Sequence, residues 1–85
     1  MRLPTPNETL MFEIAGETNP AICKDVFEGG DGWYIDAVFP KNTWHRFSKG
    51  EQCFIAGLGP RCLADFVSYP TNELWKVRFL IPKES

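Results

Sequence analysis

The sequence predicts an all-β protein, a six-stranded antiparallel small barrel, and three observations carry that expectation. Seven Gly and seven Pro punctuate the 85 residues at short, fairly even intervals, which favours strands and turns over helices. Between them lie short segments in which apolar and polar residues alternate. No segment sustains a helical period over the roughly ten to twelve residues that a helix needs. Six short strands cannot bury their apolar faces as one open sheet. Curling into a barrel gives every inward row a partner and removes most exposed edges.

Each element follows from its local pattern. Residues 9–15 alternate, with Leu10, Phe12 and Ile14 on one face. Residues 16–20 are polar and read as a turn, and 21–27 form a second strand. A third covers 32–39, with Trp33, Ile35, Ala37 and Phe39 sharing a face. The longer connection 40–50 has room for one helical turn around 43–47. Lys49 and Gly50 then turn the chain into a fourth strand, 51–58. Gly59-Pro60 breaks it, 61–69 is a fifth strand, and 70–72 makes the next turn. The sixth strand, 73–81, gives the clearest signal: Trp75, Val77, Phe79 and Ile81 face one way, Lys76 and Arg78 the other. In the second and fifth strands Lys24 and Asp65 interrupt the apolar rows, so their inward faces stay open.

Residues 1–85 have the length of a single domain. Seven Phe, three Trp and two Tyr supply large buried areas to a small core. A net charge of −2 leaves no polyelectrolyte footprint, so nucleic acid is not an expected partner. Cys23, Cys53 and Cys62 are odd in number and widely spaced, and His45 is the lone histidine. That set offers no zinc site and no metal is expected; buried thiols in a reducing cytosol fit it better. The opening Met-Arg-Leu-Pro-Thr-Pro has no apolar signal region. No apolar run approaches the roughly 20 residues that span a bilayer. The expectation is a soluble, cytoplasmic protein without a membrane partner.

Asp25-Val-Phe-Glu-Gly-Gly30 carries most of the functional signal. It reads as an acidic, glycine-ended turn between the second and third strands. An Asp opening such a turn can accept hydrogen bonds from N–H groups two or three residues on. Gly29, Gly30 and Gly32 permit positive φ and a close approach. The plain reading of the same residues is a glycine-rich hairpin connection.

With that layout, the stretch from Arg2 to Ile35 resembles the opening of a PilZ domain, the bacterial cyclic di-GMP receptor module. That family has an Arg-x-x-x-Arg segment before its first strand and Asp/Asn-x-Ser-x-x-Gly between its second and third. Asp25-x-Phe27-x-x-Gly30 matches the second motif at its first and last positions, with Phe27 where the family has Ser. Arg2 stands near the second arginine of the first motif, and the first arginine's position falls before Met1. Phe47-Ser-Lys-Gly50 followed by an apolar strand resembles the family's lead-in to its later strands, and 61–79 its closing hairpin. The resemblance implies a non-enzymatic regulatory module whose ligand residues are Arg2, Asp25, Phe27, Gly29 and Gly30.

A cyclic dinucleotide asks for arginine forks and free N–H groups at its phosphates, and for a stacking plane at its guanines. Here the partner arginine and the hydroxyl are missing. Losing one charge-assisted pair costs about 1.5–3 kcal/mol, more than tenfold in affinity. Phe27 adds bulk, and Glu28 and Asp31 repel phosphate. Cyclic di-GMP is therefore expected as a weak ligand or none, with no other cofactor, and action through a protein partner.

Trp44, with Arg46 beside it, is the candidate partner contact; Trp33 and Trp75 read as core. Asp36 and Asp65 are expected to face solvent. No nucleophile, base and orienting group form a coherent set, so no enzyme is expected. The alternatives are an SH3-like or OB-like barrel that binds a peptide or single-stranded nucleic acid, or a small phage-type interaction protein.

Overall fold

The computed structural model describes residues 3–14, 16–40, 43, 47–57, 61–68 and 74–82. They build six strands: β1 (Thr9–Ile14), β2 (Glu17–Glu28), β3 (Gly32–Pro40), β4 (Gln52–Ile55), β5 (Arg61–Ser68) and β6 (Leu74–Pro82). The strands close into a barrel in the order β1-β2-β3-β6-β5-β4, and every neighbouring pair is antiparallel. Closure comes from β4 meeting β1 at Phe12↔Ile55 and Glu13↔Phe54. The all-β barrel expected from the alternation is the fold.

Period-two alternation turns one face of each strand inward. Leu10, Phe12 and Ile14 meet Ile35, Ala37 and Phe39, with Val77 and Phe79 from β6, and all are buried. The centre is aromatic. Phe12 stacks on Phe79 with ring centroids 4.5 Å apart, and Phe47 stands edge-on to Phe79 at 5.2 Å. Phe47 comes from the long connection and closes one end against Phe39 and Trp75. Trp75 Nε1 donates to the Pro40 carbonyl at 3.0 Å, so its polar edge is satisfied in the core. Trp33 packs against this core from the rim, half-buried. Cys23, Cys53 and Cys62 are free and buried.

Several boundaries differ from expectation. Residues 16–20 are not a turn apart from Gly16; 17–20 belong to β2. Ile14 pairs directly with Glu17, and the chain reverses at Gly16, whose φ of 84° is the left-handed geometry glycine tolerates. Pro20 is accommodated because pairing of β2 with β3 begins only at Ile22↔Val38. The fourth strand is shorter than 51–58, since Gly57, at φ 85°, turns the chain after Ile55.

The two residues that interrupted the apolar rows are the two irregularities of the barrel. Cys23 pairs with Ala37 and Asp25 with Asp36, so Lys24 is an extra residue in β2. Ala64 pairs with Phe79 and Phe66 with Arg78, so Asp65 is an extra residue in β5. Each is a β-bulge. The bulge lets Cys23 and Val26 both lean on the core while Lys24 and Asp25 are exposed between them. Arg2, Trp44, His45 and Arg46, and the middle of the helical turn expected at 43–47, lie outside the described residues.

Candidate functional site

The predicted turn Asp25–Gly30 is mostly strand. β2 continues through Glu28 in register with β3, pairing Val26↔Ile35, Phe27↔Tyr34 and Glu28↔Trp33. The reversal lies at Gly29–Asp31, held by the Gly29 N–H donating to the Gly32 carbonyl at 2.8 Å. Asp25 therefore sits at the bulge, four residues before the turn. Its Oδ1 accepts from the N–H of Val26, the next residue, at 2.9 Å, rather than from a group two or three residues on.

Gly29 and Gly30 serve differently from expectation. Neither has positive φ; of the three glycines only Gly32 does, at 150°. A Cβ on Gly29 would stand 2.5 Å from Cε2 of Tyr34, so glycine is needed there to let that ring lie flat. A Cβ on Gly30 would meet nothing within 4 Å.

What the corner builds is an aromatic and charged plate on the outer wall. Tyr34 stacks on Phe27 with centroids 5.3 Å apart and planes 16° from parallel. The Arg78 guanidinium carbon lies 5.0 Å from the Phe27 centroid. Asp36, expected to face solvent, points outward yet is only 4% exposed. Arg78 covers it with a fork: Nε donates to Oδ1 at 2.8 Å and Nη2 to Oδ2 at 3.2 Å. Lys76 Nζ adds a weaker contact at 3.9 Å. Hydrogen bonding to Asp36 raises the Arg78 pKa further, against a lowering by partial burial. Partial desolvation raises that of the Tyr34 phenol, helped by the charges of Asp31 and Asp65 and a hydrogen bond with Asp31. Asp65 itself is half-buried at its bulge rather than simply solvated.

This geometry brings Phe27 and Gly29 together at the Tyr34 ring, with Gly30 in the turn beyond and Asp25 further back along β2 at the bulge. The leading segment runs to it: Asn7 N–H donates to the Cys23 carbonyl at 2.7 Å, and Cys23 N–H to Glu8 at 2.8 Å. Arg2, beyond that segment, lies outside the described residues. The arginine the corner does contain, Arg78, is committed to Asp36. Releasing it to a phosphate would uncover a buried carboxylate, which is strongly unfavourable. Sequence reasoning missed this pair because it joins β3 to β6, strands far apart in the chain.

A second surface was also missed. On the outer wall Met11, Ile22 and Phe54 are 39%, 43% and 48% exposed. They are diagonal neighbours across the strands: Phe54 is opposite Glu13, two residues from Met11; Met11 pairs with Pro20, two residues from Ile22; and Ile22 pairs with Val38. An open cleft of about 330 Å³ runs along Thr9, Pro20, Ile22, Lys24, Val38 and Pro40. At the Phe54 end a polar depression is lined by Glu13, Glu17 and Gln52. The row thus carries carboxylates at one end and Lys24 at the other.

Among the described residues no three His, Cys, Asp or Glu side chains group as metal ligands, and no helix is long and apolar enough to cross a membrane. No family model, no curated protein and no solved structure matches the chain.

Proposed function

We propose that this chain is a non-enzymatic bacterial regulatory module, similar to a PilZ domain and cytoplasmic, that acts by docking a segment of another protein. The observation that carries the reading is the exposed apolar row from Phe54 through Met11 and Ile22 to Pro40. Three large apolar side chains on diagonal positions of adjacent strands, beside an apolar cleft, form a patch rather than scattered exposure. Its ends are oppositely charged. The occupant is therefore an apolar segment with a basic residue toward Glu13 and Glu17 and an acidic residue toward Lys24.

Tight cyclic di-GMP binding has less support. Phe27 fills the place of the family's Ser, Arg78 is held by Asp36, and Asp25, Glu28 and Asp31 surround the corner with negative charge. The same carboxylates disfavour single-stranded nucleic acid on the Tyr34–Phe27 plate.

Selection of a displayed random-peptide library on the whole chain tests the proposal. Selected peptides should be apolar with a basic and an acidic end, and Ile22→Glu or Phe54→Glu should weaken them at least about tenfold, roughly 1.4 kcal/mol. Both positions are exposed, so the variants should keep the circular dichroism of the parent. Peptides indifferent to both substitutions would overturn the docking surface. Calorimetry with cyclic di-GMP should show nothing tighter than about 10 µM, roughly −7 kcal/mol. Sub-micromolar binding abolished by Asp25→Ala would make the nucleotide the ligand instead.

A further inference from the structure

The three thiols are not equivalent. Cys53 and Cys62 are directly opposed on β4 and β5. Their Sγ atoms lie 3.1 Å apart, in the barrel interior, and Cys62 Sγ also lies 3.4 Å from the Cys53 carbonyl oxygen. Cys23 belongs to β2; its thiol is 3.9 Å from the Asp25 carbonyl.

We propose that Cys53 and Cys62 are a disulfide-forming pair that closes under mild oxidation and staples β4 to β5. Opposed residues of antiparallel strands have Cα atoms about 4.5–5.5 Å apart, inside the roughly 4.4–6.8 Å a disulfide bridges. Bond formation needs the sulfurs to approach by about 1 Å. The strand that must move is the shortest in the barrel: β4 has four residues and meets β1 at two register pairs.

The chemistry is thiol–disulfide exchange with a small-molecule disulfide such as oxidised glutathione. One cysteine thiolate attacks a glutathione sulfur, forming a mixed disulfide and releasing one glutathione thiolate. The second cysteine thiolate then attacks the protein sulfur and releases the other. The two cysteine protons end on the two glutathione thiols, and two electrons pass from the protein to the glutathione. In the closed barrel the Cys53 thiol is pushed up, first by its hydrogen bond with Cys62 and then by burial, so its thiolate is disfavoured. Reaction therefore proceeds through local opening of β4, which makes it slow but selective.

Incubating the full chain in glutathione buffers of rising oxidised fraction, then alkylating and measuring intact mass, tests this. The expected product is a monomer 2 Da lighter with one alkylated thiol. Trypsin cuts after Lys49, Arg61 and Lys76, so the bond should join peptides 50–61 and 62–76. Cys23→Ser should form the same bond with no thiol left to alkylate, and Cys53→Ser should not form it. The bridged form should melt higher by several degrees, on the order of 5 °C or more. Three alkylated thiols at every ratio, a bond to Cys23, or an oxidised form that melts lower would overturn the proposal. The Cys23→Ser arm leaves the pair intact, so it decides the matter even where Cys53→Ser does not fold.

Discussion

Asp36 is a buried charge among the described residues, held by a side chain from another strand. It lies on the outward row of β3, but Arg78 covers it and leaves its side chain 6% exposed. Replacing Arg78 by Leu removes both fork bonds and leaves the carboxylate with Lys76 at 3.9 Å. Loss of one partner of a fully buried pair costs about 3–5 kcal/mol. The Arg78 side chain is 38% exposed, so the expected loss is smaller, about 2–3 kcal/mol, measured by urea unfolding. Arg78→Lys should fall between, since an ammonium has no fork. A loss under about 0.5 kcal/mol for the Leu variant would mean that water already solvates Asp36. Gly29 illustrates a different lesson. The sequence suggested positive φ or a close approach at that position, and it is the close approach, of the Tyr34 ring, that the structure shows.

Among the strands, β3 and β6 are the frame and β4 is the weak seam. β3 and β6 pair in unbroken register from Gly32↔Pro82 to Pro40↔Leu74. Among the described residues β4 is in register with β5 from Gln52 to Phe54 and with β1 at Phe54 and Ile55, with backbone hydrogen bonds at Gly50, Glu51 and Ala56 just beyond its ends. Stability is not uniform over such a structure. Native-state hydrogen exchange should find the amides of Cys53 and Phe54 opening well before those of Ile35 and Phe79. Equal protection at both places would show that the barrel opens only as a whole. Two features of the strands were already visible as broken patterns. Lys24-Asp25 and Asp65 interrupt alternation because a bulge adds one residue and shifts the faces beyond it. The polar stretch 17–20 misled for a related reason. The outward row of a solvated strand is as polar as a turn, and here the inward row carries Asn19, itself buried with its Nδ2 unpaired among the described residues.

The closed barrel also makes buried thiols part of its pH response. Burial raises the Cys23 thiol above its ordinary 9.0, with further push from Glu8; Cys53 is raised too, by Cys62 first and burial second. In the unfolded chain these groups ionise near 9 while the folded chain holds their protons. The native state then binds more protons, and stability falls as pH rises through that window. Well below pH 9 both states are protonated and the effect vanishes. The urea midpoint should therefore drop between pH 8 and pH 10, and drop less in Cys23→Ala. A midpoint unchanged across that range, with the fold retained, would count against the buried thiols as its source.

Alternation and turn residues were enough to read an all-β chain of six strands, and to assign Phe12, Ile35, Phe39, Val77 and Phe79 to its interior. Facing is a local property, set by backbone geometry over two residues. Neighbourhood is not. That β3 lies against β6 and β4 against β1 follows only from closing the sheet. Closure brings Arg78 onto Asp36 across 42 positions of chain and joins Phe54 to Met11 and Ile22 in one outer row. No short window of residues contains those meetings, because their energy comes from burying one common core.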